Sequence, residues 1–296
     1  MNSSSTKVSV IIASTGRPDS LAHLLEHLAR QTVQPDEVIL SVVQASDAPS
    51  LGTNPFPVLC QTGPKGLPAQ RNTGLALCNP HSDLIVFFDD DYIPSRFCLE
   101  RMVAFFALHP DVVGATGALI ADGINSAGIA AAEAVRLVAE YDSQPAPVPS
   151  VVRELRGLYG CNMAFRHGAI GTTRFDERLK LYGWQEDIDF SNQVSRRGRL
   201  VKTLAFAGVH QGVKSARTSG VRLGYSQVIN PVYLARKGTM SMSYARRLIL
   251  KNVAANHLKA LRPEPWVDRI GRVRGNWIGF MDVIKGRVTP ERIESL

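Results

Sequence analysis

The most constraining feature of this sequence is a short apolar run that ends in three consecutive carboxylates. Leu84 to Phe88 reads Leu-Ile-Val-Phe-Phe and is followed directly by Asp89, Asp90 and Asp91. An apolar run without alternation predicts a buried strand of a parallel or mixed sheet, which places ligands at the carboxyl ends of its strands. Because side chains alternate along a strand, Asp89 and Asp91 can share one divalent cation. The other interpretation is a solvated acidic turn.

The amino-terminal part of the chain has the pattern of a βαβ unit. Val8 to Ala13 predicts a strand that ends in a turn with Gly16 and Pro18. Leucines at helical spacing follow, and Glu37 to Val43 predicts a second strand. This order predicts a parallel sheet with a right-handed crossover.

The remaining pattern extends this sheet. It predicts helices over residues 67–77 and 94–109 and a strand over residues 112–119. Three prolines between Ser143 and Val151 mark a linker between two halves of the chain.

A second acidic cluster begins the predicted helix after Gly183. Its carboxylates, Glu186 and Asp187, lie where backbone N–H groups favour anions, so either could simply cap the helix. Further on, His210 ends a short predicted strand. A lone histidine there is more often structural than a ligand, and its position after the second acidic cluster makes it a candidate.

Positive charge is concentrated in the last part of the chain. Residues 214–296 contain 16 Lys and Arg against 5 Asp and Glu, interleaved with Trp266, Trp277 and other apolar residues. Such a segment can lie on an anionic membrane, bind a phosphorylated ligand or bind nucleic acid. It can equally be a solvated helical face whose arginines serve solubility, or a set of helices that pack on the rest of the protein and form a dimer contact or a lid.

The composition is that of a globular protein with a large core, since 45% of the residues are apolar. No apolar stretch approaches the roughly 20 residues of a membrane span, and the first residues lack the pattern of a secretory signal. The four cysteines are widely spaced and indicate neither a zinc site nor a disulfide framework. We expect a cytoplasmic protein, with the inner membrane face as a peripheral location.

Four stretches, taken in order, resemble the family 2 glycosyltransferases of the GT-A type that build bacterial polysaccharides and glycoconjugates. The resemblance covers about residues 7–215. The stretches are the strand and turn Val8 to Arg17, the helix segment Gln70-Arg71-Asn72-Thr73-Gly74, the triplet Asp89-Asp90-Asp91, and Gly160 to Arg166 followed by Trp184-Gln185-Glu186-Asp187.

The resemblance implies an α/β fold with a mixed, mostly parallel, Rossmann-like central sheet flanked by helices and a C-terminal helical extension. It gives Asp91, and by implication Asp89, to a Mg²⁺ or Mn²⁺ ion, with His210 completing the metal site. It also implies that Asp187 is the general base, with Glu186 as the second candidate. One base opposite the leaving group implies inversion at the anomeric carbon.

The resemblance also implies two sets of binding residues. The acceptor set is Asn162 and Trp184. Lys214 and Arg217 join the donor set on charge and position alone. The donor set comprises Ala13, Ser14, Thr15, Arg17, Arg71, Asp89, Asp90, Lys214 and Arg217.

The turn after the second strand departs from the family pattern. Family members often have an Asp-Asp-Gly-Ser turn there, whereas this chain has Gln44 followed by Ala-Ser-Asp. Gln44 has a donor and an acceptor that could pair with a pyrimidine edge. The expected donor is a UDP-sugar first and a dTDP-sugar second, with GDP left open.

The sequence therefore predicts three regions. Residues 1–118 form a nucleotide-sugar-binding half, residues 119–215 an acceptor-binding half of the same domain, and residues 216–296 a basic helical region. The expected partners are a nucleoside-diphosphate sugar and a glycan or polyprenyl-linked acceptor, without nucleic acid; an anionic membrane or a second copy could contact the tail. The alternatives are a metal-dependent nucleotidyltransferase and a polyanion-binding protein.

Overall fold

The computed structural model describes residues 6–214 and 219–296. One mixed sheet runs through the described residues in the order β3-β2-β1-β4-β8-β6-β9-β5, and β7 pairs with β9. The strands are β1 (Val8–Ser14), β2 (Glu37–Val42), β3 (Val58–Thr62), β4 (Leu84–Asp89), β5 (Tyr92–Pro94), β6 (Val112–Asp122), β7 (Val151–Glu154), β8 (Asn162–Arg166) and β9 (Arg199–His210).

Helices cover both faces of this sheet and form the carboxy-terminal part of the molecule. They are α1 (Pro18–Ala29), α2 (Leu67–Leu77), α3 (Cys98–Leu108), α4 (Ala131–Asp142), α5 (His167–Ile170), α6 (Glu186–Val194), α7 (Gly220–Lys237), α8 (Met242–Lys259) and α9 (Arg269–Ile284). No helix among the described residues is long and apolar enough to cross a bilayer.

The first four strands are parallel, and β1, β2 and β4 are buried on both faces, as the apolar runs predict, whereas the edge strand β3 is partly exposed. Val86 and Phe88 of β4 belong to one hydrophobic cluster, and Ile85 and Phe87 belong to the cluster on the opposite face. Consecutive side chains thus enter different cores, which explains why the run does not alternate. The expected α/β fold with a mixed central sheet and a C-terminal helical extension is confirmed.

Two elements differ from the sequence-based prediction. The third helix begins at Cys98 instead of Pro94, because Tyr92–Pro94 pairs antiparallel with the end of β9. The strand predicted before His210 is the end of a longer strand that begins at Arg199. Both differences arise from pairing between distant segments, which local pattern does not report. The boundaries at residues 118 and 215 remain predictions.

Candidate active site

A single large cleft brings the two acidic clusters together. It has a volume of about 1010 Å³ and lies where β1 and β4 end. Asp89 and Asp91 line it on the β4 side, and Asp187 lines it at the start of α6. Part of its wall comes from α7, α8 and the segment that precedes α9.

Two carboxylates and an imidazole meet in this cleft. The ligand atoms of Asp89, Asp91 and His210 all lie within 4.8 Å of one another. His210 Nε2 is 3.4 Å from Asp91 Oδ1 and 4.0 Å from Asp89 Oδ2. The pairing of Tyr92 with His210 between β5 and β9 brings these distant residues together.

The electrostatics of this cluster indicate an excess of negative charge. Burial by itself lowers the pKa of His210, but the carboxylates of Asp122, Asp91 and Asp89 together raise it to about 10. Carboxylate oxygens and imidazole nitrogen are ligands that Mg²⁺ and Mn²⁺ accept, so the donor set fits a divalent cation.

Asp90 points away from this cluster, toward the turn after β1. Its Oδ2 accepts a hydrogen bond from Ser14 Oγ at 2.6 Å, and its Oδ1 is 2.8 Å from Arg17 Nη1. Burial raises the pKa of Asp90 to about 6, although Arg17 acts in the opposite direction. The middle carboxylate thus ties the triplet to the β1 turn, and Asp90 and Asp91 lie in a turn that follows the last strand residue, Asp89.

Arg71 connects the two acidic clusters. Its guanidinium donates to Asp89 Oδ1 at 2.9 Å, to Glu186 Oε1, and to the carbonyl of Gly160 at 2.9 Å. The Arg71 side chain is only 2% exposed. Arg71 therefore holds Asp89 and Glu186 in position.

Glu186 is buried beside Asp187. Burial raises the pKa of Glu186 to about 8, although Arg71 acts in the opposite direction. Its second oxygen, Oε2, has no hydrogen-bond partner among the residues that the structure describes. A buried carboxyl oxygen without a partner is a position that a ligand hydroxyl could satisfy.

Asp187 is held by backbone groups. Its Oδ2 accepts from the Gly160 N–H at 3.0 Å, and its Oδ1 accepts from the Ile188 N–H at 2.8 Å. Burial raises the pKa of Asp187, although these two N–H groups and Arg71 act in the opposite direction. Each oxygen keeps acceptor capacity for a further donor, which is the arrangement a general base needs.

Several other predicted residues line the cleft. Ala13 and Thr15 line it at the carboxyl end of β1, and Trp184 lines it just before α6. The carbonyl of Trp184 accepts a hydrogen bond from Asn230 Nδ2 of α7 at 2.8 Å. The helical extension thus fixes the loop that carries the second acidic cluster.

The structure does not bring Asn162 to the cleft surface. Its side chain is fully buried, accepts from Thr116 Oγ1 at 2.5 Å and donates to Tyr92 OH at 3.3 Å. Asn162 pairs with Phe88 across β8 and β4, so it supports the sheet beneath the acidic triplet.

Gln44 also lies away from the cleft. It caps the short turn Ala45–Asp47, and its amide donates to Asp47 Oδ1 at 3.3 Å. The buried carboxylate of Asp47 therefore organises this turn, and the contact of Gln44 with a nucleobase stays a prediction.

Of the two basic residues that charge assigned to the donor, Lys214 and Arg217, the structure describes only Lys214. Lys214 Nζ donates to the carbonyls of Gly123 and Ile124 at 2.9 and 3.1 Å, and it lines a smaller neighbouring cavity of about 210 Å³. Arg217 lies outside the described residues.

Asp122 and Tyr159 are site residues that sequence reasoning missed. Asp122 Oδ1 is 2.9 Å from His210 Nδ1 and so orients the imidazole toward the carboxylates. Tyr159 OH donates to Asp122 Oδ2 at 3.2 Å. Asp122 could have been found from its position at the carboxyl end of β6, but the strand predicted over residues 112–119 stops three residues before it.

The fold and the cleft define a glycosyltransferase of the GT-A class. The chain belongs to glycosyl transferase family 2, whose family model matches residues 9–174. The resemblance inferred from the sequence motifs is thereby confirmed, and the nucleotidyltransferase and polyanion-binding alternatives are set aside. A search of curated proteins finds no significant match.

Solved structures of glycosyltransferases share the fold at low sequence identity. Residues 1–349 of S. aureus TarS in complex with UDP-GlcNAc align with a TM-score of 0.56 and 16% identity, covering 98% of this chain and 83% of that chain. The mannosyltransferase PcManGT from Pyrobaculum calidifontis, in complex with GDP-Man and Mn²⁺, aligns with a TM-score of 0.51 and 13% identity, covering 98% and 84%.

Proposed function

We propose that this enzyme transfers a sugar, with inversion, from a nucleoside-diphosphate sugar to a hydroxyl of a glycan or polyprenyl-linked acceptor. The observation that carries the proposal is that the Asp89, Asp91 and His210 cluster and Asp187 line the same cleft. The complexes of the two similar proteins with UDP-GlcNAc and with GDP-Man and Mn²⁺ support a sugar-nucleotide donor. We also propose that the enzyme is cytoplasmic, as the sequence leads us to expect.

On the donor side, Asp89, Asp91 and His210 would hold Mg²⁺ or Mn²⁺. When bound, this ion would neutralise the charge that develops on the leaving diphosphate. We assign Ala13, Ser14, Thr15 and Arg17 to the donor end of the cleft, which they line beside the acidic triplet. UDP remains the first candidate and dTDP the second, with GDP left open.

On the acceptor side, we assign Asp187 as the general base. The acceptor hydroxyl attacks the anomeric carbon, its proton passes to Asp187, and the bond from the sugar to the diphosphate breaks with its electron pair leaving on the diphosphate. Burial raises the pKa of Asp187 and so makes it a stronger base than an exposed aspartate. Glu186, which contacts Arg71 and has an unpartnered oxygen, is better placed to bind a sugar hydroxyl.

A thermal-shift screen tests this proposal. The melting temperature is measured with UDP, dTDP and GDP and their sugars, each with and without Mn²⁺, because a ligand that binds only the folded state raises it. We expect one nucleotide series to stabilise the protein, and the Mn²⁺-dependent part of that shift to disappear in the His210→Ala variant. A protein that no nucleotide stabilises in either condition would contradict the proposal.

A further inference from the structure

Helix α9 has its apolar side toward the solvent. Its glycine side is buried against α7, where a Cβ at Gly275 would come within 2.0 Å of the Val221 carbonyl. Small residues there allow close helix packing and leave the large side chains on the outside. The exposed ones are Ile270, Trp277, Met281 and Ile284, which recur at helical spacing on one face.

Helix α8 also exposes large leucine side chains, although it buries Ala245 and Ile249. Asn256 is buried and bonds to Gln227 of α7 and Asn276 of α9. Leu258 and Leu261, by contrast, are 70% and 84% exposed, and Leu250 is also exposed.

The two helices meet beside these exposed residues, because the ring centroids of His257 in α8 and Trp277 in α9 are 6.1 Å apart. We call Leu250, Leu258, Leu261, Ile270, Trp277, Met281 and Ile284 the outer apolar face. Exposed apolar residues grouped on adjoining helices are typical of an interaction surface.

The charge around the outer apolar face has one sign. Exposed basic residues accompany it, whereas each acidic residue from 242 to 287 is engaged elsewhere. Glu264 pairs with Lys259 and Arg269, Asp268 caps α9, and Asp282 is buried against Arg292. The exposed basic residues from 242 to 287 are Arg246, Arg247, Lys251, Lys259, Arg262, Arg274, Lys285 and Arg287.

We propose that the outer apolar face docks the enzyme on an anionic membrane surface. Apolar side chains beside basic ones suit the boundary between lipid headgroups and acyl chains. A second copy of the chain would bring the same positive charge to the contact, and the leucine and isoleucine side chains offer nothing to nucleic acid. Helix α8 and the segment before α9 also line the cleft through Asn252, Lys259 and Trp266. Docking would therefore bring the cleft close to an acceptor held at the membrane.

Vesicle binding tests this proposal. The full chain is mixed with phosphatidylcholine vesicles that contain or lack phosphatidylglycerol, and bound protein is measured by co-sedimentation. We expect binding only to the anionic vesicles, weakening with salt, with a blue shift of tryptophan emission that is reduced in Trp277→Phe. The double variant Leu258→Gln/Leu261→Gln should bind at least about tenfold more weakly, because each leucine loses its burial in lipid.

The matched control is Leu108→Gln/Val148→Gln, which changes two similarly exposed apolar residues outside α8 and α9. It should bind like the unmodified protein. Absence of vesicle binding at low salt, or equal binding by the Leu258→Gln/Leu261→Gln variant, would overturn the proposal. So would a dimer in solution that this variant dissociates, since the face would then bind a second copy. Nucleotide stabilisation, measured on the same variants, depends on the cleft and so reports separately on the proposed function.

Discussion

Replacing Asp187 by asparagine keeps the shape of the side chain but removes its ability to take a proton. Each carboxylate oxygen of Asp187 accepts one backbone N–H, from Gly160 and from Ile188. An asparagine must therefore turn its NH₂ group toward one of these N–H donors in either amide orientation. The substitution thus changes two properties, the general base and one buried hydrogen bond.

The two effects have different sizes. Loss of a well-placed general base lowers turnover by roughly 10²- to 10⁴-fold, equivalent to about 3–5 kcal/mol in activation free energy. A buried donor without a partner lowers the free energy of unfolding by about 1–3 kcal/mol. Burying a neutral amide costs less than burying the Asp187 carboxylate, whose pKa is raised by this same burial. We therefore expect the loss of unfolding free energy to lie at the lower end of that range.

The assay measures kcat, donor affinity and urea unfolding on the same preparations. Asp187→Asn should lose turnover while donor affinity remains nearly unchanged. The matched control is Asp189→Asn on the same helix, because Asp189 is fully buried and bonded to Lys237 and Thr239 and does not line the cleft. It should lose stability and keep turnover. An Asp187→Asn enzyme with turnover near that of the unmodified protein would refute the role of the base, and an equal loss in Asp189→Asn would assign the effect to disruption of the helix.

Three further outcomes are expected. Asp122→Ala should weaken Mn²⁺ binding, measured by calorimetry, about 10- to 100-fold, because His210 loses the carboxylate that orients it; unchanged affinity would contradict this. Arg71→Met should lower the free energy of unfolding by about 3–5 kcal/mol, and by less in a Glu186→Gln background, because it leaves a buried partner unpaired; strictly additive losses in urea unfolding would show that the pair is not coupled. Because burial raises the pKa of Asp187 and the base must be ionised, kcat should fall as pH decreases, with the midpoint above the ordinary value of 3.8; an identical acid limb in the residual turnover of Asp187→Asn would assign that ionisation to another group.

Sequence reasoning succeeded where a local pattern reports burial directly. The run from Leu84 to Phe88 predicted a doubly buried strand, and its two sets of side chains do enter opposite cores. The leucines of α1 at helical spacing are buried, as their periodicity predicts. In both cases the pattern repeats within a few residues, so neighbouring positions supply the whole signal.

Sequence reasoning could not report which partner a polar side chain engages. Asn162 occupies a motif position, and its side chain bonds to Thr116 and Tyr92 below the cleft. The Gln44 amide donates a hydrogen bond within its own turn. In α8, Asn256 is buried and bonds to the two neighbouring helices. Hydrophobic periodicity carries no record of these hydrogen bonds.

The order of apolar runs, turns and acidic clusters was enough to establish the α/β sheet, the family and the two groups of carboxylates. Those features depend on strand and helix periodicity and on the rule that ligands lie where parallel strands end. Only the tertiary structure decided that Asp122 orients His210, that Arg71 joins the two acidic clusters, and that α8 and α9 expose large apolar side chains. The physical reason is that these arrangements require residues far apart in the chain to share one buried site, and their energies arise only when the sheet and its helices are packed together.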